Sequence, residues 1–155
     1  MTKSKKRIKA TGEVFTPAWL VNEMLDKLPS ELWTNSTKTY LDPACGSGNI
    51  LVEVVRRKIA NGHEPYWALK RTYGVDIMPD NIEECRERLV EVACEGRPKV
   101  SNIYREMLKM VVEKNIRLGN TLQFKPEDIF SDKPSEKLVE FREQAKSNLK
   151  VDNPS

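Results

Sequence analysis

The chain has 155 residues, 39% of them hydrophobic and 32% charged, with a net charge of +3, a size that suits one compact domain with a real core and not two. No apolar run approaches the ~18 to 20 residues of a membrane span, and no apolar stretch follows Met1-Thr2-Lys3-Ser4-Lys5-Lys6-Arg7 as it would in a signal peptide, so a cytoplasmic protein with no membrane partner is predicted. Cys45, Cys85 and Cys94 lack CxxC spacing and the single histidine, His63, has no candidate partner, so neither a disulfide framework nor a metal site is indicated.

Taken in chain order, residues 1–10 form a basic flexible arm carrying Lys3, Lys5, Lys6, Arg7 and Lys9. Such an arm can neutralise nucleic-acid phosphates or simply solubilise a terminus, and the small net charge does not decide between them. Thr16-Pro17 then offers an N-cap followed by proline at the first helical position. Leu20, Val21, Met24, Leu25 and Leu28 repeat at helical spacing up to Pro29.

A short β-prone run, Thr39-Tyr40-Leu41, leads into a glycine loop, after which Ile50, Leu51, Val54, Val55 and Ile59 lie on one helical face. Arg56, Arg57 and Lys58 in the last turn suit the helix dipole, and Gly62 is a terminator. His63 is expected to be exposed in the loop that follows. Arg71 to Val75 reads as a second strand ending at Asp76, and Pro79 opens a helix carrying Ile82, Cys85, Leu89 and Val92. A further helix with Ile103, Met107, Leu108, Val111 and Val112 precedes a third brief strand, Ile116-Arg117-Leu118, before Gly119-Asn120. Strands alternating with helices argue for a parallel sheet with right-handed crossovers. Residues 125–155 differ in character, being turn-rich and then a charged helix over 135–149 with a thin apolar face.

Asp42-Pro43-Ala44-Cys45-Gly46-Ser47-Gly48-Asn49-Ile50 is the stretch that calls for a ligand. Two glycines just past a strand let backbone N–H groups approach a bound molecule at a helix N-terminus. The third glycine of a dinucleotide fingerprint is missing, since Leu51 stands three residues after Gly48, and no Gly-Lys-Ser/Thr phosphate loop occurs. Asp42 would repel a pyrophosphate and hold an ammonium group. Asp76 at the second strand tip can accept from both ribose hydroxyls, Ile77 or Met78 offers an apolar face to an adenine ring, and Asn120 can accept from an exocyclic amine. Cys45 reads as a small packing residue, because no general base accompanies it. Trp19, Trp33 and Trp67 read as packing residues too.

Thr11-Gly12-Glu13-Val14-Phe15-Thr16-Pro17, the glycine loop through Leu51, Tyr73-Gly74-Val75-Asp76-Ile77 and Leu118-Gly119-Asn120-Thr121-Leu122 follow the order of bacterial and phage N6-adenine DNA methyltransferases of restriction-modification type. The chain resembles the class whose S-adenosylmethionine region precedes the catalytic region, over roughly residues 11–124. The resemblance implies that Phe15 and Thr16, with the loop around Ala44, Gly46 and Gly48, hold the methionine end of the cofactor. It likewise implies that Asp42 supports the loop and the amino group, Asp76 binds the ribose, Ile77 packs on adenine, and Asn120, where the family usually has aspartate, contacts the adenine amino group. The family's Asn/Asp-Pro-Pro-Tyr/Phe motif, which accepts from the target amine and stacks on the flipped base, is not found; Asp152-Asn153-Pro154-Ser155 lacks the second proline and the aromatic ring. No catalytic residue is therefore assigned.

The expected fold is a Rossmann-like three-layer α/β sandwich with a partial parallel sheet, its first strand left with an open edge. The 135–149 helix, a second copy of the chain or a complementing catalytic subunit could cover that edge. Three functions remain open. The chain could be the S-adenosylmethionine-binding part of an adenine-N6 DNA methyltransferase, inactive alone or one piece of a split enzyme. It could be a non-catalytic S-adenosylmethionine-binding or regulatory protein, or part of an RNA or protein-glutamine methyltransferase.

Overall fold

In the computed structural model, residues 16–123 are described; the basic arm, Phe15 and the charged helix expected over 135–149 lie outside them. The first helix, α1 (Ala18–Asp26), is preceded by Pro17 in an extended conformation, φ −69° and ψ 153°. The Pro17 carbonyl accepts from Leu20 and Val21. Proline thus occupies the cap position rather than the first helical one, and the expected Thr16 cap is not made. A second, four-residue helix, α2 (Glu31–Thr34), follows; it buries Trp33 against Val21 and Leu25 of α1 and against Val54. Periodicity could not reveal so short a turn.

Three strands, β1 (Tyr40–Asp42), β2 (Thr72–Asp76) and β3 (Ile116–Leu118), form a parallel sheet in the order β1-β2-β3. Asp42 stands opposite Gly74, and Asp76 opposite Leu118. Between β1 and β2 run α3 (Asn49–Ala60) and a six-residue helix, α4 (Pro65–Lys70), which Pro65 starts and the sequence reading passed over. Between β2 and β3 run α5 (Pro79–Ala93) and α6 (Asn102–Asn115), the latter capped by Ser101, whose side chain accepts from the Tyr104 amide.

Helices α1, α3, α5 and α6 pack in succession. The inward faces of α3, α5 and α6, with Leu51, Val55, Ile82, Leu89 and Leu108, form the main core with Ile116 of β3, and Val21 and Leu25 of α1 form a smaller cluster with Trp33 and Val54, so the fold is the α/β sandwich that the alternation of elements predicts. Because the strands are parallel, their C-terminal ends lie along one edge of the sheet and gather the loops after Asp42, Asp76 and Leu118 there. Among the described residues β1 pairs only with β2, so its outer edge is open.

Two residues depart from expectation at the opposite end of the sheet. Lys58, read from the sequence as complementing the helix dipole in the last turn of α3, is fully buried there, and its ammonium donates to the Arg71 carbonyl at 2.9 Å, Thr72 Oγ1 at 3.3 Å and the Lys38 carbonyl at 3.4 Å. Burial, and secondarily the Arg71 charge, bring its pKa down to about 8. His63, expected to be exposed, is only 6% accessible, with Nε2 2.6 Å from the Trp33 carbonyl. Gly62, at φ 92°, turns the chain inward just before it. Trp19 and Trp67 are exposed, so of the three tryptophans only Trp33 is a core residue.

Candidate functional site

The loop after β1 is built by hydrogen bonds that its own residue types make available. Asp42 Oδ1 accepts from the Ala44 amide at 3.1 Å, as an aspartate does two residues ahead of a turn. The Cys45 amide donates to the Val75 carbonyl at 2.9 Å and the Gly48 amide to the Cys45 carbonyl at 3.0 Å. Gly46 and Gly48 both have positive φ, 56° and 96°. At Gly48 a side chain is also excluded by contact, since a Cβ would sit 2.9 Å from Cys85 Sγ. Gly46 instead faces open space, whereas Gly48 is buried and caps α3 without a side chain.

Gly74 is a site residue that the sequence reading missed. A Cβ there would meet Leu51 Cδ1 at 2.7 Å and Cys45 Cβ and Sγ at 3.0 Å. The close approach that a third loop glycine would permit is therefore made on the neighbouring strand, where Gly74 admits Leu51. A glycine inside a strand pattern was the available signal. Arg88 of α5 was also missed; its guanidinium donates to the Ser47 carbonyl at 3.0 Å and to Asn49 Oδ1 at 2.7 Å, fastening the loop from outside.

Two carboxylates face each other across the strand tips. Asp42 is 8% exposed, and its Oδ2 is buried with no hydrogen-bond partner among the described residues. Burial raises its pKa most, the Ala44 amide opposes this, and the Asp76 charge raises it further. Asp76, half-buried, accepts from the Gly46 amide on Oδ1 and from the Met78 amide and Asn81 Nδ2 on Oδ2, each at 3.1 Å. Its carbonyl accepts from Gly119 at 2.9 Å, so Asp76 connects all three strand tips.

The remaining candidates fall around this pair. Ile77, 45% exposed, stands next to Asp76. Asn120 Oδ1 accepts from the Leu122 amide at 3.0 Å, so part of its acceptor capacity shapes the chain after β3. Thr121 Oγ1 ties that segment to the Pro43 carbonyl at 2.5 Å. Hydrogen bonds thus join Asp42 to Ala44 and Gly46 to Asp76, tie Gly48 to Cys45 within the loop, and link Asn120 to the loop only through its neighbour Thr121, whereas among the described residues none joins Thr16 to the loop. The Cys45 thiol, hydrogen-bonded to Cys85 and buried, has its pKa pushed far up, which suits packing and not nucleophilic attack. No cluster of potential metal ligands occurs among the described residues.

This arrangement is chemically selective. It combines two carboxylates, one of them with a bare buried oxygen, with no lysine or arginine paired to either among the described residues. A phosphate would be repelled, whereas a ligand carrying an ammonium group and hydroxyl donors would be held.

The Type II methyltransferase M.VspI of Vibrio sp. (strain 343) is 32% identical over 128 residues, which cover 78% of this chain and 29% of that protein. The chain therefore spans under a third of that relative's length. No solved structure matches. A profile of the N-6 DNA Methylase family matches residues 2–90, more than half of the chain, and the chain belongs to that family.

Proposed function

We propose that this chain is the S-adenosylmethionine-binding part of an adenine-N6 DNA methyltransferase. The observation that carries the proposal is the Asp42 carboxylate, buried, without a hydrogen-bond partner at Oδ2 among the described residues and set beside a second carboxylate. An unpaired buried charge is costly, and the α-ammonium group of the cofactor would offset it. Its raised pKa is what such a carboxylate should show without its cation. The loop around Ala44, Gly46 and Gly48 would receive the methionine end, together with Phe15 and Thr16. Asp76 receives the ribose, Ile77 packs against adenine, and Asn120 contacts the adenine amino group.

S-adenosylmethionine supplies an activated methyl group. This chain's residues hold and orient it, while the groups that accept from the adenine amine and stack on the base come from outside these 155 residues. The open edge of β1 is where that catalytic part would add its strand, with self-association through the same edge as the competing arrangement. The basic arm over residues 1–10 would contribute phosphate contacts to DNA.

Isothermal titration with S-adenosylmethionine, run beside a methyl-transfer assay on unmodified DNA, tests the proposal. Binding without turnover by these residues alone is expected, with Asp76→Ala weakening binding strongly. Absence of binding overturns the cofactor assignment, and robust transfer by this chain alone overturns the assignment of the acceptor groups to another segment.

A further inference from the structure

Arg88 follows Cys85 by three residues on α5, so both side chains leave the same face of that helix. That face backs the glycine loop at two points. A Cβ on Gly48 would lie 2.9 Å from Cys85 Sγ, and Arg88 Nη1 donates to the Ser47 carbonyl at 3.0 Å and to Asn49 Oδ1 at 2.7 Å. Glu84 and Glu91 stand at the i−4 and i+3 positions, where a helical arginine ordinarily finds a carboxylate. Among the described residues Arg88 pairs with neither, and both of its acceptors belong to the loop and the helix it opens.

Ser47 is the loop residue that most needs such a restraint. It lies between Gly46 and Gly48, at φ 56° and 96°, and glycine pivots on both sides leave the peptide planes around it easy to rotate. The plane between Ser47 and Gly48 is held at both ends: the Gly48 amide donates to the Cys45 carbonyl at 3.0 Å, and the Ser47 carbonyl accepts from Arg88. Without Arg88 the second hold is lost, and a rotated plane would turn a carbonyl dipole toward the ligand. We infer that Arg88 is a positioning residue that keeps the Ser47 carbonyl turned to α5, and so sets the loop for the amino-acid end of the ligand without acting on its nucleoside end. The inference rests on the S-adenosylmethionine reading and adds to it the side chain that fixes the loop and the part of the ligand that depends on it.

The consequence is a selective loss. Arg88→Ala should lower affinity for a ligand carrying the amino-acid end by about tenfold, the scale of one hydrogen bond from a charged donor, and change affinity for the nucleoside without that end by less than about twofold. Arg88→Lys keeps the charge but not the planar, pre-organised donor, so it should recover only part of the loss. Asn49→Ala removes one acceptor and leaves Ser47 held, so its effect should stay within about threefold. A role through charge alone has a different signature: lysine would restore affinity in full, and the alanine effect would shrink as salt screens it.

The test is titration calorimetry of the full chain and the three variants with S-adenosylhomocysteine and with 5′-methylthioadenosine, which lacks the amino-acid end, at about 50 and about 500 mM salt. Thermal unfolding is recorded in parallel. Expected is a loss confined to S-adenosylhomocysteine, largest for Arg88→Ala, smaller for Arg88→Lys and equal at both salt concentrations. If Arg88→Ala weakens both ligands alike, or neither, Arg88 serves the fold only and the inference is overturned. Full recovery in Arg88→Lys, or an alanine effect that fades at high salt, overturns it too. Should Arg88→Ala not fold, Arg88→Lys carries the same comparison, and an equal loss for both ligands overturns the inference there as well. If the wild type binds 5′-methylthioadenosine as tightly as S-adenosylhomocysteine, the loop does not hold the amino-acid end and the inference falls while the nucleoside site stands. If it binds neither, the cofactor reading itself fails.

Discussion

Gly74→Ala is the substitution whose cost can be worked most directly from the contacts around the site. The added methyl would lie 2.7 Å from Leu51 Cδ1 and 3.0 Å from Cys45 Cβ and Sγ. Ordinary carbon contacts begin near ~3.5 Å, so Leu51 must retreat by about 0.8 Å and Cys45 by about 0.5 Å. Leu51 is fully buried in the main core and has no free space to enter. Cys45 is held through its amide to the Val75 carbonyl on the same strand, so it can move only by taking the loop with it. Overpacking of this kind costs about 1 to 3 kcal/mol, and the reduced entropy of the unfolded chain returns about 0.4 to 1 of that, leaving a loss of about 1 to 2 kcal/mol in urea unfolding. Because the displaced atoms belong to the glycine loop and to the helix it opens, S-adenosylmethionine affinity should fall as well under the proposed function. Leu51→Ala alone should cost about 2 to 5 kcal/mol, but in the Gly74→Ala background it removes the clash, so the double variant should be more stable than the sum of the singles by about 1 kcal/mol. Additivity within about 0.5 kcal/mol would refute the argument that Gly74 is kept small for Leu51.

Two further expectations concern charge. Lys58 has a folded-state pKa of about 8 against 10.5 for the free side chain, so between these values the unfolded chain binds more protons and stability must rise with pH. The burial cost is fully present below pH 8, and its relief by pH 10.5 amounts to about 3 kcal/mol at most, from ~2.5 units at 1.36 kcal/mol each. Unfolding free energies of the wild type and Lys58→Met at both pH values should converge or cross by that amount, and a pH-independent difference would show that the ammonium is not desolvated. Asp42→Asn keeps the acceptor for the Ala44 amide and removes a buried unpaired charge, so the melting temperature should rise while S-adenosylmethionine affinity falls at least tenfold. In the wild type, affinity should decline on acidification from a pH above the 3.8 of a free aspartate, as Asp42 takes up its proton. A calorimetric pH series showing no such decline would place the ammonium elsewhere.

What the sequence made legible was one end of the sheet. The alternating pattern located three strands to within a residue, and each strand ends in a residue type that hydrophobic periodicity does not explain: Asp42 before the glycine loop, Asp76, and Gly119-Asn120. Local order was enough there, because strand tips in a parallel sheet lie along one edge whatever the details of packing. What stayed hidden depends on contacts between positions far apart in the chain. Gly74 and Leu51 meet only once α3 lies on β2, Lys58 is buried only because the starts of β1 and β2 close over it, and His63 finds the Trp33 carbonyl through a helix too short to read. The Thr16 cap failed for a local reason, since Pro17 itself adopts the extended cap conformation and shifts the helix start by one residue.

The same distinction bears on the ligand. From the sequence, Asp42 and Asp76 are two carboxylates 34 positions apart, each assignable to its own part of a nucleoside cofactor. In the fold they become one electrostatic unit, because the Asp76 charge acts on a neighbour whose Oδ2 is already buried and unpaired. Water or a distant lysine could stabilise a single exposed carboxylate. A pair at the tips of adjacent strands, with one member tied to three donors and the other bare on one oxygen, leaves a single position where added positive charge is favourable. That position is beside Asp42, where the proposed methionine end would lie, whereas Asp76, with three donors already in place, has acceptor capacity left for a neutral hydroxyl donor. On the proposed reading, the division of labour between the two aspartates follows from their hydrogen bonding: the carboxylate with a bare oxygen would select the cationic end of the ligand and the one fixed by three donors would read its sugar.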